Sequence, residues 1–505
     1  MIDFTAAQIA EITGGRLVAD PAIVPSTVVT DSREAVPGSL YVAKPGEHAD
    51  GHAYVGAAFA AGAVLALCER EVTDDAGAVV PCVVVPDAVL AMGALAKAAV
   101  ARIRAARAER GEEFTVVGIT GSAGKTTTKD LLAGVFRSTP AGSATPAATV
   151  APQGSYNGEV GVPLTVFQAE ESTRFLVIEM GATGIGHIQY LADMVKPDIG
   201  VVLFVGTAHA GEFGGVENIA KAKGELVEAL APEGTAVINI DDPRVRAMET
   251  RTRANLAFFT AQAAGGNEDR TAEFARRGLV VAAQGATVDA AGSPVFDLVV
   301  GAEAPVHVRS RLVGIHHTSN LLAAAAAAYA AGVPAARIAA SLSSQGPSSR
   351  WRMQRTERAD GVTVINDAYN ANPESMRAAL QTLADLGRGR RTWAVLGAML
   401  ELGDESIPAH IAVGTLVVRL NIDRLVVVGR EARPLYVAAV NEGSWGNETT
   451  FVEDAEAAYA LLEKELEPGD LVLVKSSNGV GLGLLGDRIA LAQQTARPTD
   501  VQERS

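Results

Sequence analysis

The sequence predicts an α/β protein of three domains, and three observations carry that prediction. An apolar, β-branched run at 116–119 breaks into G-S-A-G-K-T at 121–126 and then into helix-compatible sequence, the order strand, Gly-rich loop, helix. On both sides of it, apolar runs of strand length alternate with helical stretches, as in doubly wound sheets. Composition turns polar at 109–113 and at 343–349, which divides a chain too long for one hydrophobic core into 1–112, 113–343 and 344–505.

Composition sets outer limits. Apolar residues make up 48% of the 505, enough for each segment to bury a core. A net charge of −15 argues against binding nucleic acid by charge, so anionic ligands must be held locally. Cys68 and Cys82 are the two cysteines, with no ligand pattern around them, which supports neither a disulfide framework nor a zinc site. Residues 1–5 lack the basic and apolar regions of a signal peptide, and a cytoplasmic location is expected. The stretch 321–333 is mostly alanine, too short to span a bilayer, and followed by Pro334; it reads as a tightly packed helix.

In the first segment Thr5 caps a helix over 5–12. The run 38–43, a polar loop with Asp50-Gly51-His52, an Ala-rich helix over 53–62 and a long helix over 86–108 complete a small α/β unit. Locally, Asp31 and Ser32 read as turn formers, Asp50-Gly51 as a turn and His52 as a helix cap.

The second segment opens on the Gly-rich loop. Backbone N–H groups of Gly121, Ser122, Ala123 and Gly124 would converge at the positive end of a helix, where phosphate binds. Lys125 adds a point charge there, and Thr126, followed by Thr127, offers a hydroxyl to Mg²⁺. The loop is tighter than the usual G-x-x-x-x-G-K-[ST], because Ile119 stands where the first glycine would be. A Ser/Thr/Ala/Pro-rich stretch over 138–152 reads as a movable loop. The strand over 174–180 carries Glu179 near its end, either a second Mg²⁺ anchor or a charge reaching solvent. Another strand, over 199–205, leads to His209, either a ligand group or loop packing.

The next helix is informative. At about 100° per residue, Val216, Ile219, Ala220, Leu226, Val227 and Leu230 form an apolar stripe opposite Glu217, Lys221, Glu225 and Glu228. Lys221 finds i,i±4 partners in Glu217 and Glu225, whereas Lys223 falls inside the stripe. It is either a snorkelling stem or a lysine aimed into the site beneath the loop. Beyond a strand over 235–240, 255–313 reads as short strands with Gly turns, and 343–349 as a linker. The third segment alternates strands at 362–366, 392–396, 424–428 and 471–474 with helices, without a phosphate loop of its own.

Together these motifs resemble the Mur ligases over nearly the whole chain. T-D-S-R at 30–33 and D-G-H at 50–52 carry the resemblance in the first segment, and G-x-x-G-K-T-T with N-x-x-x-G-V-P in the second. In the third, D-x-Y-N-A-N-P-x-S-M and G-x-M-x-E-L-G discriminate a branch of the family that adds D-alanyl-D-alanine to UDP-N-acetylmuramoyl-tripeptide. The resemblance implies a UDP-binding first domain, a central parallel sheet of the P-loop ATPase type and a Rossmann-like third domain. It also implies ATP, two Mg²⁺ ions, an acyl-phosphate intermediate, a role in peptidoglycan precursor synthesis and a monomeric protein.

By the same resemblance Lys125 and Thr126 serve the ATP phosphates and Mg²⁺, Glu179 and His209 approach the second ion, and Lys223 is carbamylated. Asn157 joins Lys125, His209 and Lys223 as catalytic. Asn320, Arg352 and Asp367 meet adenine, ribose and phosphates, with Arg350 only two residues from Arg352. Asp31, Ser32 and Arg33 fall in the uridine-nucleotide pocket, and Asn370 and Asn372 face substrate. Two departures stand out: His317 replaces an asparagine in G-I-H-H-T-S-N, and Asn478 follows Lys475-Ser476-Ser477 where arginine is common. A family member that adds the third residue would carry D-N-P-R in the last domain, and the near match Asp241-Asp242-Pro243-Arg244 lies in the wrong one. A P-loop ATPase switch is the reading from another class.

Overall fold

The computed structural model describes residues 3–46, 49–74, 76–140, 148–207, 213–262, 268–443 and 448–492. Local chemistry starts the first helices as read: Thr5 forms a capping box with Gln8 on Ala6–Thr13, and Asp87 caps Ala88–Glu109. The helix Val55–Ala60 is shorter than read, because Gly51–Tyr54 forms a 3₁₀ turn capped by Asp50. The first sheet has five strands, parallel except for Arg16–Val18 at its edge.

The central sheet has nine strands and departs from the parallel arrangement expected. It is parallel from Thr149–Val150 through Phe175–Glu179, Thr115–Thr120, Ile199–Val202, Thr235–Asn239 and Asn255–Thr260 to Leu279–Val288. Pro294–Val300 and Val306–Arg309 then add antiparallel strands at the edge. The cause is a tight turn: Asp289 Oδ1 accepts the N–H groups of Ala291 and Ser293, and Gly292 adopts φ +79°, so the chain folds straight back. A helix, Glu268–Ala275, also lies where the sequence reads only as strands. Its one large apolar anchor, Phe274 against Phe258, is too sparse to register as a period.

Two features of this sheet place the site. Gly118 and Gly200 pair directly across adjacent strands, and a Cβ on either would come within 3.0–3.1 Å of Leu226. Their missing side chains make the groove in which the helix Val216–Glu228 lies. On the other face Ala323 to Ala328 are fully buried in His317–Ala330, where methyl groups let the helix approach the sheet closely.

The third sheet has six strands, parallel except for Gln354–Glu357 at its edge. Its adjacent strands Thr363–Asn366, Leu471–Lys475 and Thr392–Leu396 run in one direction, so the segments after them gather at one end. Among the described residues no helix is long and apolar enough to cross a membrane.

Because Leu226 fills the glycine groove, Leu226→Ala is expected to lower stability by about 2–5 kcal/mol in denaturant unfolding. A loss under ~1 kcal/mol would mean that the helix is not anchored there.

Candidate active site

A cleft of about 1130 Å³ lies where the carboxyl ends of the central and third sheets face each other, with Thr30 of the first unit also on its wall. Its floor is the loop between strand Thr115–Thr120 and helix Lys125–Arg137. Gly124 has φ +83°, and a Cβ there would meet Asn320 Oδ1 at 2.3 Å, so only glycine fits. Lys125 folds back, donating from Nζ to Gly121 O at 2.8 Å, and burial is the main force holding its pKa below the usual lysine value.

Thr126 meets Glu179 Oε2 at 2.9 Å and Ser155 Oγ at 2.8 Å. Asn157 Nδ2 donates to Glu179 Oε1 at 2.8 Å, so both oxygens of this buried carboxylate are oriented. Hydroxyl and carboxylate oxygens are hard donors that suit Mg²⁺, which takes one or two protein ligands and completes its shell with phosphates and water. Among the described residues no cluster of three His, Cys, Asp or Glu is present.

Lys223 is buried on the wall of this cleft and has no hydrogen-bond partner among the described residues. Burial, with Lys125 adding to it, pushes its pKa down to about 7. The surroundings of Lys221 differ from those expected. Glu217 pairs with Arg244, and Glu225 is buried, accepting the N–H groups of Gly186 and Gln189 at the start of helix His187–Val195. That helix is capped from a neighbouring element, which spacing along one helix could not reveal.

The third domain reaches the loop directly. Arg352 donates from Nη2 to Thr126 Oγ1 and Ser155 Oγ, both at 3.0 Å, while its guanidinium stacks on Tyr369. Arg350 points elsewhere, to Asp487, so the two nearby arginines are told apart. Glu374 forms a second bridge, its Oε1 accepting the N–H and hydroxyl of Thr207 at 2.7 and 2.9 Å. Asp367 is engaged by Lys475 Nζ at 2.6 Å and by the Met353 N–H. Asn370 and Asn372 both line the cleft, and Asn372 spends its Oδ1 on capping helix Pro373–Leu386 and turns Nδ2 toward Ser122 O.

Asn320 lies against His317 Nδ1 at 3.1 Å. His316 and His317 pack ring against ring, and burial lowers both pKa values, that of His316 to about 4. His209 lies outside the described residues. Asp31, Ser32 and Arg33 do not line the cleft; Asp31 caps a 3₁₀ turn and pairs with the exposed Arg33. In the D-G-H segment His52 is buried and its ring is used within the fold: Nδ1 meets the exposed Asp50 at 2.6 Å, and Nε2 accepts the Glu69 N–H.

Sequence reasoning missed Lys129 and Ser155. Lys129, one turn beyond Lys125, is buried and donates to Pro152 O and Gly154 O, tying the end of the loop read as movable to the helix. Its neighbour Asp130 accepts from Ser349 Oγ, which holds the interdomain linker as well. A second lysine four residues after the first, on the apolar face of the same helix, was the available signal.

Three family profiles match the chain: Mur ligase family, catalytic domain, over residues 26–105; Mur ligase middle domain, over 119–328; and Mur ligase, glutamate ligase domain, over 351–478. The UDP-N-acetylmuramoyl-tripeptide–D-alanyl-D-alanine ligase of Mycobacterium tuberculosis H37Rv is 44% identical, across 97% of this chain and 98% of that protein. The Bacillus subtilis protein of the same name is 30% identical, across 95% and 97%. The crystal structure of MurF from Acinetobacter baumannii superposes with a TM-score of 0.81 at 29% identity, covering 97% of this chain and 99% of that one.

The depressed Lys223 pKa has a consequence for stability. A buried lysine that prefers to be neutral penalises folding fully below about pH 7, and the penalty fades as pH rises toward the unfolded value of 10.5. In CO₂-free, metal-free denaturant melts, the native chain should gain stability between pH 7 and 10 relative to Lys223→Met. Parallel stability curves for the two would place the amine in water.

Proposed function

This chain belongs to the Mur ligase family, and from that premise we propose that it joins D-alanyl-D-alanine to the terminal carboxylate of UDP-N-acetylmuramoyl-tripeptide while ATP is cleaved to ADP and phosphate. The observation that carries the reading is the full-length similarity, at 44% identity, to a ligase of that name. The cleft supports it chemically, because Lys125 and Arg352 gather positive charge where a phosphate loop opens. This would be a cytoplasmic step of peptidoglycan precursor synthesis, since it draws on ATP, carried out by a monomer.

In this reading, residues 1–112 hold the UDP end, with Asp31, Ser32 and Arg33 in the uridine pocket. Residues 113–343 hold ATP, and 344–505 bring the dipeptide, with Asn370 and Asn372 toward it. Backbone N–H groups of Gly121, Ala123 and Gly124 and the Lys125 ammonium hold the phosphates, the Ser122 N–H being given to Phe204 O, and Asn320, Arg352 and Asp367 complete the nucleotide site. Thr126 and Glu179 would hold Mg²⁺, which supplies charge neutralisation for the phosphates. Asn157 fixes the Glu179 carboxylate, and His209 keeps its assignment at a second ion on the sequence motif alone.

Lys223, half of it neutral near pH 7, is primed for CO₂: the neutral nitrogen forms a bond to the carbon as one C=O π bond opens onto oxygen, a proton leaves to water, and a carbamate oxygen donor replaces an uncompensated amine. In the ligation, the tripeptide carboxylate attacks the γ-phosphorus and ADP leaves, forming an acyl phosphate. The dipeptide amine then attacks the carbonyl carbon, loses a proton and expels phosphate. Arg352 and Glu374 close the cleft from the third domain and keep water from the acyl phosphate.

The test is direct. With ATP, Mg²⁺ and UDP-N-acetylmuramoyl-tripeptide, the protein should give the pentapeptide mass on adding D-alanyl-D-alanine, and Lys125→Ala should lower kcat by ~10²- to 10³-fold. Ligation of a free diamino acid to the dipeptide precursor would instead favour the third-residue branch, and ADP release stimulated only by a macromolecule would favour a switch.

A further inference from the structure

Arg352 reaches the phosphate loop from a backbone that is bent on both sides. Trp351 has φ +59° and Met353 φ +46°, the left-handed region that residues with a Cβ avoid. Two non-glycine residues hold that conformation only where surrounding contacts impose it. Some are local to the site: Asp367 Oδ1 accepts the Met353 N–H at 3.0 Å, and Trp351 O accepts the Tyr369 N–H at 3.2 Å.

Gln354 Oε1 accepts the Trp351 N–H at 3.3 Å, and a further contact comes from the last described helix, Leu482–Leu491. The indole Nε1–H of Trp351 donates to Asp487 Oδ2 at 2.9 Å, and Asn366 Nδ2 donates to Asp487 Oδ1 at 3.1 Å. The helix is cut away to receive the ring: a Cβ on Gly483 would lie 2.4 Å from Trp351 Cδ2, and one on Gly486 would lie 2.4 Å from Asn366 Nδ2. Glycine is a poor helix former, so two of them facing one indole and its partner mark a fitted slot. Asp487 itself does not line the cleft. Its other partner, the exposed Arg350, lies over the same indole, 4.8 Å from the ring centroid, so the ion pair with Asp487 covers the ring from the solvent side.

We propose that Asp487 is a positioning residue: by holding the Trp351 indole in the Gly483 slot it sets the left-handed turn that delivers the Arg352 guanidinium to Thr126 and Ser155. Loss of Asp487 frees the ring, the turn relaxes and Arg352 withdraws from the loop. The chemical step then slows, while the first domain binds its ligand as before. The kinetic readout rests on the ligase reading above.

The experiment is a double-mutant cycle on the full chain. Wild type must first form the pentapeptide product, and if it does not, it is the ligase reading that falls. Given product, Asp487→Ala should lower kcat by ~10-fold, the scale of one lost hydrogen bond to a charged group, with KM for the UDP precursor unchanged. In an Arg352→Ala background the same substitution should change kcat by less than about twofold, because the group it positions is gone. Trp351→Phe removes the N–H together with part of the ring that fills the slot, and it should slow kcat at least as much as Asp487→Ala does. Unchanged kcat in Asp487→Ala, an undiminished effect in the Arg352→Ala background, or Trp351→Phe with wild-type kcat would each overturn the proposal.

Discussion

Positive charge gathered out of water is the constraint on which the rest of this structure depends. Lys125, Lys223 and Arg352 converge on one end of a sheet, and desolvation, with each lysine also feeling a neighbouring cation, holds both ammonium groups below their usual pKa. Glu179 faces them with both oxygens already oriented, and Asp367 is neutralised by Lys475. Such a cluster is out of balance until a polyanion enters. It is a local answer to a global problem, since a chain of net charge −15 repels phosphates at long range.

The fold supplies these charges by two physical routes. Lys223 is brought in by absence: Gly118 and Gly200 clear a groove, Leu226 drops into it, and the lysine one turn earlier has nowhere to go but the cleft wall. Arg352 is brought in by bracing, from a bent segment bolted through Met353, Trp351 and their partners. The loop carrying Ser155 and Asn157 is tied down by Lys129, and the linker that follows the central domain is tied to Asp130. Central and third domains thus meet through hydrogen bonds to small polar groups and through Val313, which packs in the third domain's core.

Much of this was legible in the sequence, because its signals are local. A strand running into G-S-A-G-K-T, a carboxylate at the end of an apolar strand and a lysine on an apolar stripe all declare themselves within a few residues, and the structure puts Lys125, Glu179 and Lys223 on one cleft. What escaped depends on partners far along the chain. Glu225 looks like half of a surface pair on its own helix, yet it caps another helix from a buried position. Arg350 and Arg352 are indistinguishable by spacing; Asp487, 137 residues from Arg350, takes the first and leaves the second for the loop. Asn372 sits in a motif that suggests substrate, and its carbonyl oxygen is spent on a helix cap. The antiparallel edge of the central sheet turns on one Asp–Gly hairpin within a stretch that reads only as short strands.

In the function proposed above, the cleft serves one event, the passage of a phosphoryl group from ATP to a carboxylate, after which an amine collects the acyl group. That event leaves an isotopic record. If the terminal carboxylate of UDP-N-acetylmuramoyl-tripeptide is labelled with ¹⁸O and ligated to D-alanyl-D-alanine, one labelled oxygen should appear in the inorganic phosphate for each peptide bond formed. Unlabelled phosphate alongside peptide product would mean that the carboxylate never attacked phosphorus, and would contradict the account.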